Sequence, residues 1–154
     1  MTDVKYSGYK DDAQSVVFSG TRTLVSLAID EWTDLSDVIN NGANGYLFAD
    51  WEFVCTSVAF TGADSAIELY LVPVVDGTND PDWTGDGTTA EQEHNVFFAG
   101  AFTTSGDTSA QRLTLRGIEM PVGKFKVGVR NMGGIALAAS GSTLKYRPWQ
   151  YSSA

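Results

Sequence analysis

The sequence predicts an all-β fold, a single-domain β-sandwich of jelly-roll-like type with extended N- and C-terminal segments. Three observations carry that expectation. Apolar residues alternate with period two through several stretches, and turn signals recur about every 8 to 12 residues. Charged residues make up only 19% of the chain while glycine reaches 16 residues, a balance that suits short strands joined by frequent turns. At 154 residues, 43% of them hydrophobic, the chain has the size of one domain and can bury one core.

Taken in order, residues 1–13 are polar and without period and read as an extended arm carrying Tyr6 and Tyr9. Residues 14–147 form the expected sandwich domain. Within it, 14–19 and 22–28 read as two short strands around the Ser19-Gly20-Thr21 turn. Residues 30–42 are the helix candidate, with Trp32, Leu35 and Ile39 at helical spacing and Asn40-Asn41-Gly42 as a stop. Residues 46–60 read as a long strand whose Leu47, Ala49, Trp51, Phe53 and Cys55 face inward, with a bulge or bend near Thr56 and Ser57.

Residues 66–75 are the clearest strand, with Ile67, Leu69, Leu71 and Val74 on its apolar face. Pro73 lacks an N–H and suggests an edge position or a late bulge. An acidic loop, residues 76–87, follows. Strands are then expected at 95–104, at 112–120 with Leu113, Leu115 and Ile118 inward, and at 124–130 with Phe125, Val127 and Val129 on one face. Asn131 to Gly134 reads as a hairpin turn, and 135–139 and 142–147 as the last strands. Residues 148–154 read as a tail, because Pro148 stops a central strand.

The sequence carries no catalytic motif. His94, the single histidine, lies near Glu91 and Glu93 but has no nucleophile context around it. Asp50 and Glu52 share a strand face, yet paired-carboxylate chemistry draws its acids from separate elements. Cys55, the single cysteine, cannot form an internal disulfide and sits among apolar neighbours as a small buried hydrophobe. The loop carboxylates Asp76, Asp80, Asp82 and Asp86 could suit calcium, but their spacing is not that of an EF-hand loop. The expectation is therefore no enzyme, no cofactor and no metal. No apolar run approaches the roughly 20 residues of a membrane span.

The net charge of −9 argues against nucleic-acid binding. Its distribution is uneven: no Lys or Arg lies between Arg22 and Arg112, where 15 Asp and Glu fall, whereas seven Lys and Arg face one acid from Arg112 to Arg147. Either these charges mix within the domain or they dock copies head to tail. On the second reading Lys124, Lys126 and Arg130, which share one strand parity, are partner-binding residues. Four aromatics in the termini, Tyr6, Tyr9, Trp149 and Tyr151, are the other expected partner-binding residues, since aromatic anchors dominate interfaces. Trp83, in the acidic loop, is the candidate platform for a sugar ring.

Two blocks, ELYLVPVVDGTNDPDW at 68–83 and PVGKFKVGVRNMGGIALAASGSTLKYRPWQY at 121–151, resemble small structural proteins of tailed bacteriophages. The resemblance implies a virion component made in the host cytoplasm and placed on the capsid surface: a decoration or cement protein. Its partners would be the major capsid protein and its own copies, as a dimer or trimer. The resemblance transfers no site residues. The alternative is a tail- or fibre-associated carbohydrate-binding module using Trp83 and the acidic loop, and a small hydrolase is a third.

Overall fold

The computed structural model describes residues 4–9, 11–56, 60, 65–80, 83 and 97–153, with backbone alone at 4–7 and 152–153. Among these residues nine strands form: β1 (Val4–Tyr9), β2 (Gln14–Ser15), β3 (Ile39–Asn40), β4 (Phe48–Cys55), β5 (Ala66–Pro73), β6 (Phe98–Thr103), β7 (Gln111–Glu119), β8 (Lys124–Met132) and β9 (Thr143–Ser153). They make two antiparallel sheets. The five-stranded sheet runs β1-β9-β4-β7, with β2 also paired to β9, and the four-stranded sheet runs β3-β8-β5-β6. The expected all-β sandwich is what the chain forms.

The pairing is nested. β5 pairs with β6, β4 with β7, β3 with β8, and β1 and β2 with β9. The chain thus pairs as one long hairpin whose successive rungs fall alternately in the two sheets. β4 against β9 and β5 against β8 then complete the sheets.

Alternation fills the core. Ala49, Trp51, Phe53 and Cys55 of β4, Ile67 and Leu69 of β5, and Phe125, Val127 and Val129 of β8 are all buried. Trp51 stacks on Tyr146 at 5.2 Å, and Phe53 reaches Phe102 of the other sheet at 5.8 Å. Each large side chain so buried contributes about 1.5–3 kcal/mol. Leu47, expected inward, is instead 50% exposed, because it precedes β4 at the end of the sandwich.

Several expectations are corrected. Residues 30–42 are not helical. Asp30 has a left-handed φ of 62°, and the segment runs extended along β8, bonding Thr33 N to Val129 O and Ser36 N to Val127 O. The Thr33 and Ser36 hydroxyls accept the N–H groups of Val129 and Val127, so side chains complete a ladder that the backbone leaves irregular. Of 14–19 only Gln14–Ser15 pairs as a strand, and 22–28 forms none. There the Asp34 carboxylate takes the N–H groups of Thr21 and Arg22, and Ser26 turns left-handed at φ 54°. Residues 135–139 are not a strand either; Leu137 N bonds Leu27 O across to that irregular segment.

Pro73 takes a locally open edge, as expected, whereas Pro148 does not stop its strand, and one reason covers both. Val74 N bonds Lys124 O on the β8 side, so the alternating Pro73 position faces β6, whose pairing has already ended at Phe98. β5 is therefore interior and Pro73 costs it nothing. Leu144 O accepts Val16 N, so Pro148 faces the same β1/β2 side, in the gap between the Tyr9 and Gln14 pairings. β9 runs through Pro148, and the expected tail is its second half. The expected arm supplies β1, its partner, and β2 at the start of the expected sandwich domain also pairs with it.

β5 is also covered on both faces. Tyr70, whose parity sets it opposite Ile67 and Leu69, is buried against Trp32 and Trp83, and Val72 is buried as well. Trp32 lies 4.5 Å from Tyr70, Arg130 sits over the Trp32 ring at 5.1 Å, and the Trp83 indole donates to Thr33 O at 3.0 Å.

Candidate functional site

Strand register gathers exposed apolar side chains at one end of the sandwich. β4 and β6 begin there and β5 and β7 finish there, since Phe48 pairs with Glu119 and Tyr70 with Phe98. Of ten exposed large hydrophobic residues among those described, six lie at this end: Tyr9, Leu47, Val75, Phe98, Val122 and Tyr151. Val75 and Val122 are 90% and 91% exposed, far beyond what scattered surface residues need explaining. Phe97, Phe98, Leu71, Met120, Pro121 and Val122 line a groove there.

On the outer face of the five-stranded sheet, this end carries an aromatic cluster. One row of pairs reads Glu119, Phe48, Trp149, Tyr9 across β7, β4, β9 and β1. Phe48 stacks on Trp149 at 4.7 Å, and Tyr151 meets both edge-on, at 5.9 and 5.5 Å. Three of the four aromatics expected from the termini, Tyr9, Trp149 and Tyr151, thus converge. The backbone of the fourth, Tyr6, pairs with Tyr151.

Asp50 ties the cluster together. It accepts the Tyr9 hydroxyl at 2.6 Å, the Gly117 N–H at 2.8 Å and the Trp149 indole N–H at 3.0 Å, with Arg116 at 3.5 Å. Gly117 is able to donate because β7 bulges opposite Asp50: Ala49 pairs with Ile118 but Trp51 with Leu115, and Gly117 takes φ 67°. Burial alone would raise the Asp50 carboxyl. The hydrogen bonds from Tyr9, Gly117 and Trp149 and the Arg116 charge outweigh it and hold the group below the ordinary carboxylate range. Arg147 lies over the Tyr9 ring at 4.4 Å, which clamps the end of β1 from the other side.

Lys124, Lys126 and Arg130 lie elsewhere, on β8 in the other sheet. Lys126 reaches Asp80 at 2.7 Å, and Arg130 faces Glu68 at 3.7 Å and Asp30 at 4.0 Å. Lys124 donates to Gly77 O at 3.2 Å. With Arg112 on Glu52 and Arg116 on Asp50, the uneven charge of the sequence is mixed within the domain.

In the acidic loop, Asp76 accepts the N–H groups of Asn79 and Thr78, which hold its carboxyl below the usual range. Asp82, Asp86, Glu91, Glu93 and His94 lie outside the described residues. Among those described, no group of three or more metal-binding side chains gathers. Trp83 is half-buried, edge-on to Trp32 at 5.3 Å and to Tyr70 at 5.9 Å. Burial raises the Cys55 thiol, as befits a core residue. No helix among the described residues is long and apolar enough to cross a membrane.

Sequence reasoning missed Phe48 and Asp50 as partners of the terminal aromatics. Their parity put them on the outer face, but only the long-range register of β1, β7 and β9 brings them together. Comparison with protein-family models, with curated proteins and with solved structures found no match.

Proposed function

We propose that this chain is a non-enzymatic structural protein of a tailed-bacteriophage virion, a capsid decoration or cement protein that binds the major capsid protein and stabilises the shell. The resemblance of 68–83 and 121–151 to phage structural proteins supplies the class. The observation that carries the binding role is the apolar end of the sandwich, where Leu47, Val75, Phe98 and Val122 are exposed beside the Phe48, Trp149 and Tyr151 cluster. Such a surface is costly in water and favours a partner that covers it. Binding the assembled shell in preference to free subunits stabilises the shell by mass action. Association of copies as a dimer or trimer on the lattice would add contacts that a lone domain lacks.

The test is occupancy. Purified protein is added to shells that lack it and sedimented with them. Saturable binding at hundreds of copies per shell is expected, with loss of occupancy in Val122→Asp and Phe98→Asp variants whose melting is unchanged. Binding at a few copies, or full occupancy by both variants, refutes the reading. The rival carbohydrate reading through Trp83 loses ground, because that indole is engaged by its own domain through Thr33, Trp32 and Tyr70.

A further inference from the structure

A second concavity lies between the two sheets, beside β2 and β3, and it is chemically unlike the apolar end. Asp11, Gln14, Asn40, Asn44, Tyr46 and Tyr146 give it polar groups, with Ile39, Met120 and Pro148 as its apolar part. Its volume is about 320 Å³, at the small end of the roughly 300–1,000 Å³ of small-molecule sites.

The walls are held in place from behind. Asn41 is buried, and its amide donates to Tyr46 O and Pro121 O while its oxygen accepts Tyr46 N, which fixes the loop from 41 to 46. The Tyr46 hydroxyl donates to Asp11 at 2.7 Å, joining the β1–β2 connection to that loop. Arg147 Nε holds the Asp11 backbone at 3.0 Å. The Tyr146 ring is fixed by its stack on Trp51. Polar capacity is left over on this fixed frame. Tyr146 Oη and the Asn44 side chain make no hydrogen bond among the described residues, and Asn40 uses only its oxygen, toward Gly42 N.

The lining selects its ligand class. Among the described residues no Lys, Arg or His lines the cavity, and one carboxylate does, so anions are disfavoured. A single carboxylate is too few for a hard divalent cation, which needs several oxygens. Amides and phenols offer donors and acceptors together, as a hydroxyl-rich neutral ligand requires. Tyrosine rings and the Ile39, Met120 and Pro148 surface suit the C–H face of a sugar ring. We infer that this cavity is a binding site for one neutral pyranose unit of a glycan. The inference does not depend on the capsid reading and uses none of the residues at the exposed apolar end except the buried Met120.

The full-length chain is titrated with glucose, galactose, mannose and N-acetylglucosamine while its ¹H–¹⁵N spectrum is recorded. Saturable shifts at Asn40, Asn44, Tyr46 and Tyr146 are expected with at least one of the four. Tyr146→Phe removes one hydroxyl and keeps the Trp51 stack, and Asn44→Ala changes an exposed loop residue. Each should weaken binding about tenfold, the loss of one ligand hydrogen bond. Glucuronate should bind at least about tenfold more weakly than glucose, for the Asp11 carboxylate opposes it, and Asp11→Asn should narrow that gap. Absence of saturable shifts with all four sugars overturns the inference. So do shifts confined to other residues, full affinity in both variants, or glucuronate binding as well as glucose.

Discussion

Gly128→Ala should destabilise this protein although it adds one methyl to a strand. A Cβ at position 128 would overlap the six-membered ring of Trp83, with Cε2 of the same indole 3.2 Å away. The indole must then leave its notch on β8. It loses its 3.0 Å hydrogen bond to Thr33 O, worth about 1 kcal/mol. It also loses edge contacts to Trp32 and Tyr70, each worth about 0.5–1.5 kcal/mol. Against this, Ala is favoured over Gly in a strand by about 0.5–1 kcal/mol. The net loss is about 2 kcal/mol, or roughly 4–8 °C in Tm for a domain of this size. Urea unfolding of four proteins measures it: the parent, Gly128→Ala, Trp83→Ala and the double variant. In the Trp83→Ala background the clash has no second party, so Gly128→Ala should become neutral or stabilising. A loss under about 0.5 kcal/mol in the parent, or an equal loss in both backgrounds, refutes the account of Trp83 as a side chain seated on Gly128.

Asp50→Asn should loosen β1, raising proteolysis within residues 4–9 while the core stays folded, because the Tyr9 hydroxyl and Arg116 lose a charged acceptor. The pH dependence follows the same group. Its folded carboxyl titrates below the ordinary value of 3.8, so its stabilisation is complete above that value and disappears as pH falls through the lower, folded one. Acid should therefore perturb the amides of Tyr9 and Gly117 in parent protein and leave them unmoved over the same range in Asp50→Asn. At the alkaline end, burial and then the Glu68 hydrogen bond push the Tyr70 phenol far above its ordinary value of 10.0. Its stabilisation is full below that value and is lost as pH rises toward the folded one, so unfolding rather than phenolate absorbance should mark its ionisation, and Tyr70→Phe should flatten the alkaline decline. Cys55, 1% exposed, should react with a thiol reagent only at the rate of unfolding.

Period two was readable wherever a strand has one face in the core. β4 and β8 show it: parity alone predicts Trp51, Phe53, Val127 and Val129 on the inward face, and all four are buried. The segment at 30–42 failed because Trp32, Leu35 and Ile39 imitate helical spacing, while the deciding bonds come from Thr33 and Ser36 hydroxyls to a strand some 90 residues later. The stop expected at Pro148 failed because a ladder needs an N–H only on a side where a neighbour remains, and the sequence does not say which neighbours remain. The aromatic end of the sandwich is half legible. Tyr9, Trp149 and Tyr151 announce it, but Phe48 and Asp50, which hold those rings, join them only through the pairing of β9 with β4 and of β9 with β1.

That pairing also orders the assembly of the molecule in time. Each rung of the nested hairpin encloses the one before it, so β1 against β9 closes a loop of nearly the whole chain unless the inner rungs have formed first. Loop-closure entropy makes the inside-out sequence the less costly one. The terminal strands therefore zip last, and a ribosome must release Ser153 before Val4 can find it. Phe48, Trp149 and Tyr151 meet once β9 pairs with β4, but Tyr9 reaches Asp50 and Arg147 only when that final rung is in place. A copy whose β1 has not paired lacks the Tyr9 hydrogen bond on Asp50, so this end of the sandwich stays incomplete until the last rung closes.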